Sequence, residues 1–353
     1  MKVVSKREYV FSIMKGIAII SVVMGHCTLN RFTELYVNQF HLAVFFFVSG
    51  YFFKEEYCAD RIRFICKKFR RLYVPFVISG VIMLLFYPLM EWLYIYETPL
   101  TLKGAAKEVF NLTIRLTSDN TMMGAMWFCP ALLIVSLLSF AVFCLTKQRT
   151  VTYKTVVFAL VVATGGVILH WFRWKSPYCI WQYMIIAGIY YMGWLFHRCE
   201  PKLTKHKDLA LWIVSSVCFF LVLYVLTFYG CYGRLQPNNI NNEYTMAILL
   251  VAFVGCGGVY SLSVVISRSY LSSFFALMGE YSFSIMLLHF LCFKIVNCLY
   301  CLVNGVPFDS ISSFPTIRYE HAIWFCVYLL TGTLAPVSLS RLYHKCKDAL
   351  VSL

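Results

Sequence analysis

The chain has 353 residues, of which 60% are hydrophobic and only 13% are charged. Soluble domains carry about 25% charged residues, so this composition excludes an ordinary soluble protein and indicates a membrane protein. A formal net charge of +15 would suggest a nucleic-acid partner in a soluble chain. In a membrane protein the same excess is typical of cytoplasmic loops, and we therefore expect no nucleic-acid partner.

The apolar segments are long enough to cross a membrane as helices. They run to about 20 residues, the length that crosses a hydrocarbon core of about 30 Å at 1.5 Å per residue. Strands of a membrane barrel would be about half as long and would alternate in polarity, which these segments do not. The sequence therefore predicts an all-α, polytopic membrane helical bundle of about ten transmembrane helices. The predicted spans are 9–29, 40–53, 74–92, 127–145, 155–172, 180–196, 209–229, 245–266, 274–300 and 321–340.

The distribution of Lys and Arg predicts the orientation of these spans. Of the 31 Lys and Arg residues, 22 lie on the side of the N-terminus, 8 lie on the opposite side and Lys294 lies inside a span. Because Lys and Arg are enriched in cytoplasmic loops, both termini are predicted to be cytoplasmic. The longest outer loop, 93–126, contains a segment that Thr101 can cap, which predicts a short interfacial helix.

Cysteine is frequent in this chain, with 15 residues. Most of them lie within apolar spans, as Cys144, Cys218 and Cys256 do, and there cysteine behaves as a small hydrophobic residue. We therefore expect neither a disulfide framework nor a metal site.

Lys15 and His26 are ionisable residues of the first predicted span. Eleven residues of helix rise about 16 Å and return to within about 20° of the starting direction, so both side chains share a stripe with Ile19 and Val22. Ionisable residues inside a span are costly and by default mark function, which here suggests a tunnel through the bundle. Two structural alternatives stay open: Lys15 could snorkel to the inner interface, and His26 could form an interhelical hydrogen bond.

Two other histidines are predicted to reach a similar depth. His289 lies about 22 Å along the ninth span and His26 about 25 Å along the first, both counted from the cytoplasmic end by helical rise. His41 opens the second span and descends from the outer face. The structural alternatives are an interfacial histidine for His41 and a hydrogen-bonded histidine of the bundle for His289.

The segment after the second span, predicted to be a cytoplasmic loop, concentrates positive charge. Six basic residues fall within eleven positions before Pro75, namely Arg61, Arg63, Lys67, Lys68, Arg70 and Arg71. Arg and Lys are the standard contacts of phosphate groups, so this segment suits a phosphate-rich ligand from the cytosol. The plainer interpretation, a cytoplasmic anchor that also attracts anionic lipids, holds in part.

Five motifs in chain order resemble those of the integral-membrane acyltransferase family 3, which includes O-acetyltransferases of surface polysaccharides. They extend over nearly the whole chain and fall at suitable spacing. The motifs are Lys15 with His26 eleven positions later, the phrase FHLAVFFFVSGYFF at 40–53, the basic pair Lys68 and Arg71 ahead of Leu-Tyr-Val-Pro, the phrase WFCPAL from Trp127, and a Ser to Leu-His phrase at Ser282–His289.

The resemblance implies a single transmembrane acyltransferase domain over 1–353, multi-pass in the cell's inner (plasma) membrane, and we expect no SGNH-type domain of the kind that some members carry. The implied donor is a cytosolic acyl-CoA, with acetyl-CoA expected, and no cofactor is bound permanently. The implied acceptor is a hydroxyl group of a carbohydrate or lipid-linked glycan, and membrane lipids are the remaining partners. Two other classes stay open: a transporter of a small solute or of an acyl or sugar intermediate, and a structural or sensory membrane protein.

The resemblance also implies roles for particular residues. The phosphates of the donor would meet Lys68, Arg70, Arg71 and Lys15. A hydroxyl group is a poor nucleophile at neutral pH, and histidine titrates in the range that a general base needs. His26 is the predicted base, with a covalent acyl-histidine as the alternative. The remaining assignments are His41 and His289, which would orient His26 or the acceptor, and Trp127, which would line the acceptor side.

Overall fold

The structure, a computed structural model, describes residues 6–172, 177–203, 208–231, 233, 235 and 245–351. Within these residues every regular element is a helix, which confirms the all-α class. The α-helices are α1 (Lys6–Cys27), α2 (Arg31–Asn38), α3 (His41–Tyr51), α4 (Arg61–Lys68), α5 (Val74–Leu85), α6 (Tyr87–Trp92), α7 (Leu102–Phe110), α8 (Phe128–Leu145), α9 (Val151–Val167), α10 (Ile180–Leu203), α11 (Leu209–Phe228), α12 (Thr245–Ile266), α13 (Ser272–Glu280), α14 (Ser282–Asn304) and α15 (Ala322–Val351).

Six segments of the described chain are long and apolar enough to cross a membrane. They are Arg7–Cys27, Phe128–Leu145, Leu209–Phe228, Ala247–Ile266, Ser282–Asn304 and Ala322–Asp348. The membrane class is therefore supported, whereas the number of ten spans and the orientation of the termini stay predictions.

Several predicted spans are divided or short. The predicted span 74–92 consists of α5 and α6, which separate at Phe86, and 274–300 consists of α13 and α14, which separate at Tyr281. The predicted span 40–53 is α3, with eleven residues. At 1.5 Å per residue α3 reaches only about half of a bilayer core.

The basic segment predicted as a loop is helical. Asp60 caps α4 by accepting a hydrogen bond from the backbone N–H of Arg63 at 3.1 Å. A π-helical turn at Phe69–Tyr73 then joins α4 to α5 without a break. Pro75 has no N–H to donate, and the widened turn lies where that hydrogen bond would be missing. Similarly, Thr101 caps α7 through Gly104 at 3.1 Å, which confirms the predicted short helix.

Backbone contacts between helices fix the elements that form the site. On α13, a Cβ atom at Gly279 would overlap the carbonyl oxygen of Ser12 on α1. On α3, a Cβ atom at Gly50 would overlap the carbonyl oxygen of Tyr190 on α10. Small residues permit such close approach of membrane helices. Both α1 and α3, which carry candidate site residues, are thereby held against the backbone of a neighbouring helix.

A buried lysine anchors the segment between α14 and α15. The Nζ atom of Lys294 donates to the three consecutive backbone carbonyls of 311–313, at distances of 2.6 to 3.0 Å. Asn297 donates from Nδ2 to the carbonyls of residues 311 and 313, and its Oδ1 accepts from the hydroxyl of Tyr328 at 2.7 Å. All three donors of the ammonium are used, as a charge inside a membrane span requires.

We expect Lys294→Met to destabilise the protein. The substitution removes the ammonium from three backbone carbonyls, and the carbonyl of Ser312 is left without a side-chain donor, because Asn297 donates only to the other two. An unsatisfied buried group costs about 1–3 kcal/mol. Thermal unfolding in detergent, followed by size-exclusion chromatography, should show a lower midpoint for this variant. Ile295→Met is the matched control, because Ile295 is the next residue of α14 and is 63% exposed. An unchanged midpoint for Lys294→Met would contradict the anchoring role.

Candidate active site

A cavity of about 270 Å³, which we call the histidine cavity, lies among α1, α3, α8 and α14. Four residues of α1 line it, and they are the stripe that helical spacing defined: Lys15, Ile19, Val22 and His26. The remaining lining residues are Asn38, His41, Leu42, Phe45, Val48, Ser49, Leu72, Gly124, Ala125, Trp127, Phe128, Cys129, Leu132, Ser282, Phe283 and Met286. Most of this wall is apolar, so the few polar groups face largely apolar surroundings.

His41 has a fixed ring orientation. Its Nδ1 atom lies 2.6 Å from the carbonyl oxygen of Val37 on α2. A carbonyl oxygen only accepts hydrogen bonds, so Nδ1 carries the proton and Nε2 keeps its lone pair. The ring is buried and lines the cavity. This arrangement is the one that a histidine needs in order to accept a proton or a hydrogen bond at Nε2.

His289 packs against His26 and does not line the cavity. Its Nδ1 atom faces the carbonyl oxygens of Ile285 and Met286 at 2.9 and 3.0 Å. The rings of His289 and His26 are stacked, with centroids 5.4 Å apart and planes inclined by 23°. His289 is fully buried, and its Nε2 atom has no hydrogen-bond partner within the described residues. It therefore packs against His26 without lining the cavity itself.

Aromatic rings, Gly124 and the last residue of α2 lie around His26 and the neighbouring part of the cavity. Phe290 packs against His26 at a centroid distance of 4.9 Å, and Phe314 packs on Phe290 at 4.7 Å. Gly124 lines the cavity and lies next to both phenylalanines. Asn38, the last residue of α2, lines the same region and donates from Nδ2 to the carbonyl of Glu34 at 2.7 Å.

The basic residues of α4 and of the π-helical turn divide into two groups. Arg63, Lys67, Arg70 and Arg71 are exposed and line a shallow groove together with Cys66, which we call the α4 groove. The next residue along the chain, Leu72, lines the histidine cavity. The same helical segment thus runs from the α4 groove to the cavity.

Lys68 is the exception within this segment, because its side chain points towards the protein interior. Its Nζ atom donates to the hydroxyl of Ser136 on α8 at 3.1 Å. Burial lowers the pKa of Lys68 to about 8, and the positive charges of Arg71 and Lys67 lower it further. This lysine therefore titrates close to physiological pH, unlike an ordinary surface lysine.

The structure brings together four of the eight residues predicted for the site. Lys15, His26, His41 and Trp127 all line the histidine cavity. The other four lie next to it or at the α4 groove: His289, Lys68, Arg70 and Arg71.

Sequence reasoning did not predict helix α2 or the contribution of its residues to the site. Asn38 lines the cavity, and Val37 orients His41, yet α2 lies in a segment predicted to be a loop. A local signal was present, since Asn30 is a good N-cap residue and accepts from the backbone N–H of Thr33 at 3.0 Å.

The described part of the chain contains no set of side chains arranged to bind a metal ion. No group of three or more His, Cys, Asp or Glu side chains there is placed to hold a metal ion. The sequence contains one CxxC pair, Cys298 and Cys301, and both thiols are free within α14. The thiol of Cys301 donates to the carbonyl of Pro307 at 3.6 Å, which is a structural contact.

A family model described as an acyltransferase domain matches residues 9–341 of the chain. The match includes all residues that line the histidine cavity and the whole of the α4 groove. No curated protein and no solved structure matches the chain. The family relationship of the chain therefore rests on the match to the family model.

Proposed function

We propose that this chain, which belongs to acyltransferase family 3, moves an acyl group from a cytosolic acyl-CoA to a hydroxyl group of an exported or surface carbohydrate. Family membership supports a membrane-embedded acyltransferase. One observation carries the finer proposal: a lysine and two histidines line a single, largely apolar cavity, and a helix with exposed arginines borders it at Leu72. Acetyl-CoA is the donor that we expect.

We further propose ten spans with both termini in the cytoplasm, in the inner membrane of the cell. Three exposed aromatic residues support this topology: Trp92, Trp171 and Tyr229 are 75%, 76% and 76% exposed. Each lies at the end of a helical segment that the distribution of charge assigns to the outer face. Trp and Tyr are enriched where helices meet the membrane–water interface, so these positions are consistent with an outer boundary.

The donor would bind from the cytosolic side. Its phosphate groups cannot enter the membrane core, and the exposed guanidinium groups of Arg70 and Arg71 offer bidentate contacts at the α4 groove. The uncharged pantetheine arm would pass Leu72 and follow the stripe from Lys15 to His26. Lys68, with a pKa of about 8, adds a positive charge between the groove and α8.

His26 would act as the general base. The hydroxyl oxygen of the acceptor attacks the thioester carbonyl while His26 takes the hydroxyl proton. The tetrahedral intermediate then collapses: the C–S bond breaks, the C–O bond of the ester remains, and His26 returns the proton to the leaving thiolate of CoA. His41, whose Nδ1 is held by Val37 so that Nε2 keeps its lone pair, would orient the acceptor, and Trp127 would line its path. An acyl-histidine at position 26 is the covalent variant of this route.

The transporter considered from the sequence gains no support from membership of an acyltransferase family. If the protein were a transporter, vesicles that contain it would accumulate a labelled solute without acyl-CoA. The acyltransferase predicts release of free CoA instead, with the acyl group found on the acceptor.

Substitution of His26 by Ala should abolish acyl transfer while leaving the amount of protein in the membrane unchanged. His26 is half-buried and lines the cavity. Its replacement by Ala therefore removes the base and only enlarges an existing space. The measurement is the ester-bound acetate that mild base releases from the surface polymer of expressing cells, with protein abundance from immunoblots. His321→Ala, at an exposed position outside the cavity, is the control. Full acetylation in the His26→Ala cells would refute the mechanism.

Donor binding should weaken as the pH rises through about 8. An arriving phosphate favours the charged form of Lys68, so binding takes up a proton, and above a pKa of about 8 that proton must be supplied from solution. A charge-assisted hydrogen bond contributes about 1.5 kcal/mol or more, so we expect about tenfold weaker binding of acetyl-CoA at pH 9.5 than at pH 7.5. Calorimetric titration of the protein in nanodiscs measures this change.

Lys68→Arg is the matched variant for this test, because the guanidinium stays charged over the whole pH range. Its affinity for acetyl-CoA should be nearly constant between pH 7.5 and 9.5. The same loss of affinity in the wild type and in Lys68→Arg would show that another group titrates and that Lys68 has no part in donor binding.

A further inference from the structure

We infer that a second basic groove, on the C-terminal helix, binds the 3′-phosphoadenosine end of the acyl-CoA. This inference rests on the proposed function and adds a nucleotide site to it. The groove has a volume of about 530 Å³ and lies where α15 passes the break between α13 and α14. We call it the α15 groove, and its lining residues are Tyr281, Ser338, Arg341, Leu342, His344, Lys345 and Asp348.

Helical spacing places the positive charges of the α15 groove together. Arg341 and Lys345 are four residues apart on α15, so their side chains lie on one face. Both are exposed, and neither forms an ion pair with another residue of the described chain. Asp348, one turn beyond Lys345, is the only carboxylate of the lining. These two cations, together with the imidazole of His344, give the groove the donors that a phosphate group requires.

Tyr281 supplies a flat surface at the other wall of the groove. It is the single residue between α13 and α14, and the guanidinium carbon of Arg341 lies 5.9 Å from its ring centroid. Purine bases bind to proteins by stacking on aromatic rings and on guanidinium planes. An aromatic ring, a guanidinium and a second cation thus occur within one groove, which is the combination that an adenosine with a 3′-phosphate would use.

The α15 groove adjoins the histidine cavity through the first turn of α14. Ser282 and Phe283 follow Tyr281 directly, and both line that cavity. Leu72, which follows the arginines of the α4 groove, lines it as well. Each of the two basic grooves therefore has a chain neighbour in the wall of the same cavity.

Two separate phosphate sites match the chemistry of the donor. Coenzyme A carries a pyrophosphate next to the pantetheine arm and an additional phosphate on the 3′-hydroxyl of its ribose. With the pyrophosphate at Arg70 and Arg71, the adenosine and its 3′-phosphate would extend towards Tyr281, Arg341 and Lys345. An anionic lipid headgroup is the other ligand that offers a phosphate to such a groove.

The test compares CoA with 3′-dephospho-CoA, which lacks only the 3′-phosphate. The full-length protein is placed in nanodiscs of phosphatidylcholine, and both ligands are titrated calorimetrically. We expect the wild type to bind CoA about tenfold more tightly than 3′-dephospho-CoA, the effect of about one charge-assisted contact. The double variant Arg341→Ala/Lys345→Ala should bind CoA about tenfold more weakly and should no longer distinguish the two ligands.

Lys347→Ala is the matched control, because Lys347 is an exposed lysine of α15 that does not line the groove. It should retain the wild-type preference for CoA. Size-exclusion chromatography verifies that each variant is folded, which we expect since every substituted side chain is exposed.

Three outcomes would overturn the inference while leaving the proposed function intact. The wild type could bind CoA and 3′-dephospho-CoA equally. The double variant could keep the preference for CoA, or it could lose affinity for both ligands by the same factor. A groove that holds lipid headgroups predicts a preference retained in the double variant, together with less phosphatidylglycerol copurified from the membrane. Failure of the intact wild type to bind either ligand would overturn the proposed donor and the inference with it.

Discussion

A charged or polar side chain inside a membrane must find its partners within the protein or must face a cavity. Two lysines of this chain show the two solutions. Lys294 uses all three of its donors on backbone carbonyls and holds a loop in place. Lys15 faces the cavity that also contains His26 and His41. The same constraint thus separates a lysine that stabilises the fold from one that lines the cavity.

The cavity exists because several elements are too short to cross the membrane. Helix α3 has eleven residues, so its first residue, His41, lies within the bundle and meets the last turn of α2. The break at Tyr281 lets α14 start beside Lys15, with Ser282 and Phe283 in the cavity wall. Irregular backbone is tolerated at membrane depth where it is covered by protein or lines a cavity. The short helices and the break therefore form the site instead of interrupting a regular bundle.

Periodicity predicted the site better than hydropathy predicted the elements. Lys15, Ile19, Val22 and His26 share a face because 3.6 residues per turn leave no other arrangement in one helix, and depth along two spans brought His289 close to His26. Hydropathy averages over many residues, so it joined α13 to α14 across Tyr281, an apolar residue at the break. It also gives no direction to a side chain, and the contact of Lys68 with Ser136 depends on how α8 packs against the basic segment.

If an acyl-CoA is the donor, its charged phosphate groups and its reactive thioester must bind in different places. A phosphate group in hydrocarbon would cost far more than any contact could return, so the nucleotide must stay at the surface while the thioester reaches the histidines. A mobile basic loop would leave the distance between these two places undefined. Here Arg71 and Leu72 are consecutive residues of one helical segment, as Tyr281 and Ser282 are consecutive at the start of another. On the first flank the element that carries the surface charge also forms the wall of the cavity. On the second flank the charges belong to α15, and the wall begins with Ser282, directly after Tyr281 of the same groove.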